Sequence, residues 1–410
     1  MTVITWWLGR GPRPEKFREL FVAPFNASGF DIRVDLVDKG AAAQTAVLAA
    51  LEDGTGPDIF MIPRTGDFVS LVKSGRVLAL DEAAHRFRWD SRILKPARDL
   101  GQVDGHLFGV PRSLETMLLY FDRALFAKHQ WSPPTTAVEL RTLADEMMAE
   151  NIVPFGAGSV DFPGSCEWYL SLILNHAAGP AAVRKVLRGD LPWTSPTFVE
   201  ALTLLKEWFD RGWFGDAYFT RTAPEGFADI ATGVAAMAPT LTWAFDDART
   251  VFAGREADIG VAPFPSLGPA VPTPTYLMGT ASILCINSSS AHPKAAAAVL
   301  DALFAAEVRR RFAQRLPGDW NLPLTDSDTV ALKEVATSQF AATTTALTDA
   351  VADGSFGYAT WTFLSPTAEA ASIDNFRGMI DGVVSPVDYL RAIEAASAID
   401  AENGVSITIP

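Results

Sequence analysis

The five histidines, His85, His106, His129, His176 and His292, are scattered along the chain. None is spaced as a helical metal pair of the H-E-x-x-H kind and no Cys-His cluster exists, so the sequence predicts neither a metal site nor a cofactor. The turn Gly9-Arg10-Gly11 lacks the third glycine of a dinucleotide fingerprint, and there is no G-x-x-x-x-G-K-[ST] loop. No serine has glycines at both −2 and +2, which removes the nucleophile elbow of α/β-hydrolases. A glycosidase carboxylate pair has no fixed local spacing, so that chemistry stays open as an alternative. The positive signal is aromatic: the chain carries eleven tryptophans. A sugar ring offers an apolar face of C–H groups that an indole can cover, and a rim of hydroxyls that carboxylates and amides can bond.

Position separates these tryptophans. Trp7 ends the first strand, and ligands of open α/β sheets bind at carboxyl ends of strands. Trp168 opens an apolar helix after the loop Phe162-Pro163-Gly164-Ser165, and Trp320 lies in a proline- and glycine-rich connector. Core packing is the default reading of any single tryptophan, and Trp131, Trp193, Trp208 and Trp213 are read as structural. The loop Pro63-Arg64-Thr65-Gly66-Asp67 follows a buried strand and precedes a helix, so it presents backbone N–H groups together with Thr65 and Asp67; Asp67 can instead cap its own helix. Arg10, Arg64 and Arg112 each lie in a loop of this kind within an acidic protein. Arginine forks hold carboxylate or phosphate, which keeps an acidic sugar or a glycerophosphodiester open as ligand. Lys39 and Gln44 add donors after the second strand, and Gly279 completes the candidate set.

The elements that must position these groups alternate in the first 110 residues. Strands are predicted at 3–8, 31–37 and 58–62, with helices at 15–25, 41–51 and 68–74 between and after them. Ile32, Val34 and Leu36 alternate strictly, and such strand–helix succession argues an α/β sheet with crossover helices. Residues 118–126 read as a buried strand running into a helical turn, and Thr136 with Glu139 forms a capping-box signature. From 136 to about 252 helices dominate; Ser195-Pro196 and Ser385-Pro386 each announce a helix start. Strand 281–286 and one helix over 293–315 follow a connector at 258–275.

A chain of 410 residues suits two domains. Its net charge of −14 argues against nucleic acid as a partner. Cys166 and Cys285 sit in apolar stretches and read as inert buried thiols, although spacing does not decide whether they are free. No apolar run reaches the roughly 18 residues a membrane span requires.

The succession Gly56-Pro57-Asp58-Ile59-Phe60, Val103-Asp104-Gly105-His106-Leu107-Phe108-Gly109-Val110-Pro111, Leu118-Leu119-Tyr120-Phe121-Asp122 and Pro133-Pro134-Thr135-Thr136-Ala137-Val138-Glu139 resembles extracellular solute-binding proteins of carbohydrate ABC importers, the maltose-binding type. The resemblance covers nearly the whole chain, through the order and spacing of loose motifs. It implies a two-lobe periplasmic-binding-protein-like α/β fold, each lobe a mostly parallel sheet flanked by helices. The implied lobes are 1–110 plus 272–312 and 111–265 plus 318–410, joined by crossings near 110–113, 263–271 and 313–322, with Pro111 as a hinge. It further implies a mono- or oligosaccharide held in the inter-lobe cleft by hinge closure, and permease subunits of an importer as partners. The protein is expected to be a monomer and no enzyme. The resemblance also implies a periplasmic or cell-surface location, with an export signal or lipid anchor removed. Trp243, after Ala235-Ala236-Met237-Ala238-Pro239-Thr240-Leu241-Thr242, resembles the family's strand–loop–Trp element, and Trp361, in Tyr358-Ala359-Thr360-Trp361, its late stacking aromatic. Glu115 matches a position where the family presents a carboxylate to a sugar hydroxyl, and Asp67 a loop where it has an aspartate.

Overall fold

The computed structural model describes residues 1–9, 13–63, 65–269, 271–325 and 337–410. They divide into two units: Met1–Glu115, Thr280–Gly354 and Val405–Pro410 form the first, Thr116–Gly279 and Ser355–Gly404 the second. Two expected crossings fall elsewhere. Residues 263–271 belong to the second unit, where Ser266 N–H donates to the Thr135 carbonyl (3.1 Å) and Leu267 N–H to that of His176 (2.8 Å). Residues 313–322 belong to the first unit because Leu316, Trp320 and Leu322 are buried in its core. Proline and glycine made both segments read as linkers, but each is pinned by apolar side chains or backbone bonds.

In the first unit the strands Ile32–Asp38, Thr2–Leu8, Ile59–Ile62, Ile283–Ile286 and Gly109–Pro111 lie side by side in that order. The first three are parallel, with Thr2 opposite Ile32, Leu8 opposite Asp38 and Trp6 opposite Ile59. Helical segments over 14–27 and at Ala43–Glu52 supply the crossovers that parallel pairing needs. Ile283–Ile286, which follows closely on the chain's re-entry into the unit at Thr280, runs antiparallel to both its neighbours. Ile4, Trp6 and Leu8 point into one core with Phe17, Phe21 and Trp320, while Val47, Leu51, Phe60, Ile62 and Phe68 form a second core against which Trp7 packs. The period of two in the first strand thus sends neighbouring tryptophans to different sides.

The second unit has a four-stranded sheet in the order Ile259–Ala262, Met117–Asp122, Ala235–Leu241 and Val153–Phe155. Only Val153–Phe155 pairs in parallel, so the mostly parallel sheet expected for this part is corrected to a mostly antiparallel one. Cys166–Ile173 packs on this sheet, and Pro196–Asp210, Pro366–Ile380 and Pro386–Glu402 pack with it in a helical layer, the last tied down by Tyr389, whose hydroxyl donates to the Ser372 carbonyl (2.9 Å).

Local signals were met with shifts. Thr136 Oγ1 accepts from Glu139 N–H (3.2 Å), but the Glu139 carboxylate returns to the N–H and hydroxyl of Thr135 (2.7 Å each). Ser385 caps Pro386–Glu402 through Asp388 N–H (3.2 Å), whereas Ser195 turns its hydroxyl back to the Pro192 carbonyl (2.6 Å). The expected 293–315 helix is two helices, Pro293–Ala302 and Ala306–Arg315. Cys166 and Cys285 are free and buried, and burial pushes both thiols up.

Candidate functional site

The carboxyl ends of the three parallel strands gather one set of candidates in the first unit. Trp7 sits one residue before the end of Thr2–Leu8 and is half-buried. Lys39 follows the paired strand directly, its N–H donating to the Leu8 carbonyl (2.8 Å), and its ammonium lies 3.7 Å from the centroid of a Trp7 ring. Gln44, at the start of Ala43–Glu52, donates from Nε2 to Asp67 Oδ2 (2.8 Å), joining the loops after the second and third strands. Thr65, buried, and Asp67, partly exposed, begin the helix Thr65–Lys73. A side chain at Gly9 would bring a Cβ within 2.9 Å of Ala43 Cβ, so glycine there lets the first strand end close against this turn. Arg10 and Arg64 lie outside the described residues.

A second set in the same unit is buried. Arg112 donates from Nε to Ser282 Oγ (3.0 Å) and from Nη1 to the Asp319 carbonyl (2.9 Å), and its guanidinium is ion-paired with Asp319 and lies 5.2 Å from a Trp320 ring centroid. Glu115, 2% exposed, accepts from the Ser113 hydroxyl (3.0 Å). Burial drives its carboxyl up to about 7; Arg112 opposes this, Asp319 adds to it, and the Ser113 bond opposes it. Glu115 is therefore a buried carboxyl and not a solvated loop glutamate. Trp320 is corrected from a candidate contact to a core residue: it is 2% exposed and stacks on Phe17 at 4.2 Å between centroids. Asp319 and Ser282 were missed, and no local signal marks them, since their partner is 207 and 170 residues away in sequence.

In the second unit Trp243 immediately precedes the helix Ala244–Val251, is partly exposed, and meets Trp168 edge to face (5.7 Å between centroids, 60°). Trp168 itself is 9% exposed and also touches Phe162, which is 52% exposed. Trp361, partly exposed in the short helix Thr360–Phe363, lies on the backbone at Gly279: a Cβ there would fall 2.6 Å from Trp361 Cζ2. Thr360 anchors that helix through its N–H to Ser171 Oγ (2.8 Å). Trp193, Trp208 and Trp213 are buried, as their sequence context indicated. His176, also buried, donates from Nδ1 to the Pro265 carbonyl (3.1 Å), and burial lowers its pKa to about 4.

Residues 10–310 match the sequence model of the bacterial extracellular solute-binding proteins. The chain belongs to that family. Among relatives of this solute-binding protein, the osmoprotective compounds-binding protein GgtB of Synechocystis sp. is 24% identical over 203 residues, 48% of this chain and 47% of that one. The match thus spans about half the relative's length. A structure solved in work on xylan utilisation by the thermophilic bacterium Caldanaerobius polysaccharolyticus superposes with a TM-score of 0.79 at 21% identity, covering 96% of this chain and 99% of the other. Maltose-bound MalE3 of T. maritima gives 0.78 at 18% identity, with 97% and 100% covered. These likenesses establish the two-lobe α/β binding-protein fold. No helix among the described residues is long and apolar enough to cross a membrane.

Proposed function

We propose that this solute-binding protein is the receptor of an ABC importer and that its solute is a mono- or oligosaccharide. The observation that carries the reading is the grouping at the carboxyl edge of the first unit's sheet: a half-buried indole, an ammonium, an amide and a carboxylate within one cluster of loops. That is the composition a polyhydroxylated ring requires, with a flat apolar surface for its C–H face and donors and acceptors for its rim. In the second unit Trp243 and Trp361 would supply further apolar faces, with Trp168 holding Trp243 and Gly279 seating Trp361. Family membership adds support for capture by closure around the solute, for delivery to permease subunits, and for a location outside the cytoplasm.

An acidic sugar or glycerophosphodiester is the second reading, favoured by the partly exposed Lys39 ammonium. It loses Arg112, whose charge is committed to Asp319. A glycosidase would use Glu115, raised to about 7, as its general acid. Its burial under Ser113, beside an aspartate already paired with arginine, supports binding without catalysis. A thermal-shift screen decides among the three, since a saturating ligand raises the melting temperature by mass action. Shifts with neutral saccharides and no turnover are expected. Shifts only with uronates or glycerophosphodiesters would replace the first reading by the second, and turnover lost in Glu115→Gln would establish the enzyme.

A further inference from the structure

Parallel pairing sets Trp7 opposite Val37 and Leu8 opposite Asp38, and the next residue, Lys39, is fixed by its backbone bond to Leu8. From that anchor the lysine stem reaches back over Trp7, placing Nζ 3.7 Å from the ring centroid. At this distance the ammonium is in van der Waals contact with the π-face, and no second group fits on the same patch. The indole also packs against the core cluster that contains Val47, Leu51 and Phe68, so part of its surface is already taken and the Lys39 ammonium covers part of what is left for a solute.

We propose that Lys39 is a specificity-determining residue: its ammonium caps the Trp7 indole, and a solute that stacks on that ring must displace it. The proposal rests on the saccharide reading above. A neutral sugar then binds Trp7 only by giving up the cation–π contact, which weakens its apparent affinity. An anionic solute recovers the loss, because the displaced ammonium is already beside it. A cationic solute meets both competition for the face and repulsion. The same lysine therefore ranks solutes by charge on a surface that otherwise reads only shape.

Lys39→Met keeps most of the aliphatic stem and removes the charge. By calorimetry with a neutral saccharide that the wild type binds, the variant is expected to bind roughly 2- to 30-fold more tightly. In a Trp7→Ala background the same substitution should change nothing. A readout free of solute accompanies it: acrylamide quenching of the Trp7 component, isolated by difference from Trp7→Phe, should rise in Lys39→Met. Unchanged quenching overturns the cap itself. Raised quenching with equal or weaker saccharide affinity overturns the specificity role. A wild type that binds no saccharide, with quenching still dependent on Lys39, sinks the saccharide reading and takes that role with it.

Discussion

Replacing Glu115 by glutamine removes an ionisation without removing the shape. The carboxyl is 2% exposed and its pKa rises from 4.5 to about 7, chiefly by burial. A carboxyl raised in the folded state stabilises the fold while protonated. That contribution is complete below about pH 4.5 and is lost as pH climbs to about 7, beyond which the penalty is constant. A rise of this size corresponds to about 3 kcal/mol. Glutamine can still accept from the Ser113 hydroxyl and never ionises. The stability of Glu115→Gln relative to wild type should therefore increase by about 3 kcal/mol between pH 4.5 and 8. For a unit of this size the gap in melting temperature should widen by roughly 6–12 °C. Scanning calorimetry of both proteins at half-unit pH steps measures it, because groups titrating alike in the two proteins cancel in the difference. Parallel curves across that range would refute the reasoning, showing the carboxyl to be hydrated or fully compensated by Arg112.

Arg112→Met should destabilise the first unit by about 3–5 kcal/mol in urea unfolding, since it strands the buried Asp319 carboxylate. A smaller loss would mean that water reaches that carboxylate. Gly279→Ala drives a Cβ into the Trp361 indole and should cost about 1–3 kcal/mol together with solute affinity; unchanged melting and calorimetric titration would show the ring to be free to move. Trp243→Ala should weaken solute binding at least about tenfold while circular dichroism stays native, because the side chain is partly exposed and its loss leaves Trp168 in place. Equal affinity would reduce that indole to packing.

Much of the scaffold was legible because its signals are local. Alternating Ile32, Val34 and Leu36, the continuous apolar run at 59–62 and the cap at Thr136 each express a preference that a few neighbouring residues settle. The connectors were less legible. Proline and glycine mark turns equally well in a linker and in a packed corner, and only the burial of Phe264, Leu316 and Trp320 distinguishes the two. Strand direction in the second unit was hidden for a similar reason. A short buried strand reads the same in either orientation, and pairing such as Met117 with Leu241 joins residues far apart in the chain.

The sequence by itself determined the residue types available for binding: abundant indoles, few histidines, no nucleotide or metal motif, and a chain order that marks the family. Tertiary structure decided which of those residues have work left to do. It buried Trp320 against Phe17, spent the charge of Arg112 on Asp319 and raised the carboxyl of Glu115. It also laid the Lys39 ammonium on Trp7. A side chain's capacity for chemistry is written in its type, but its availability depends on burial and on partners tens to hundreds of residues away. Those are set only when the sheet closes and the loops at its edge meet.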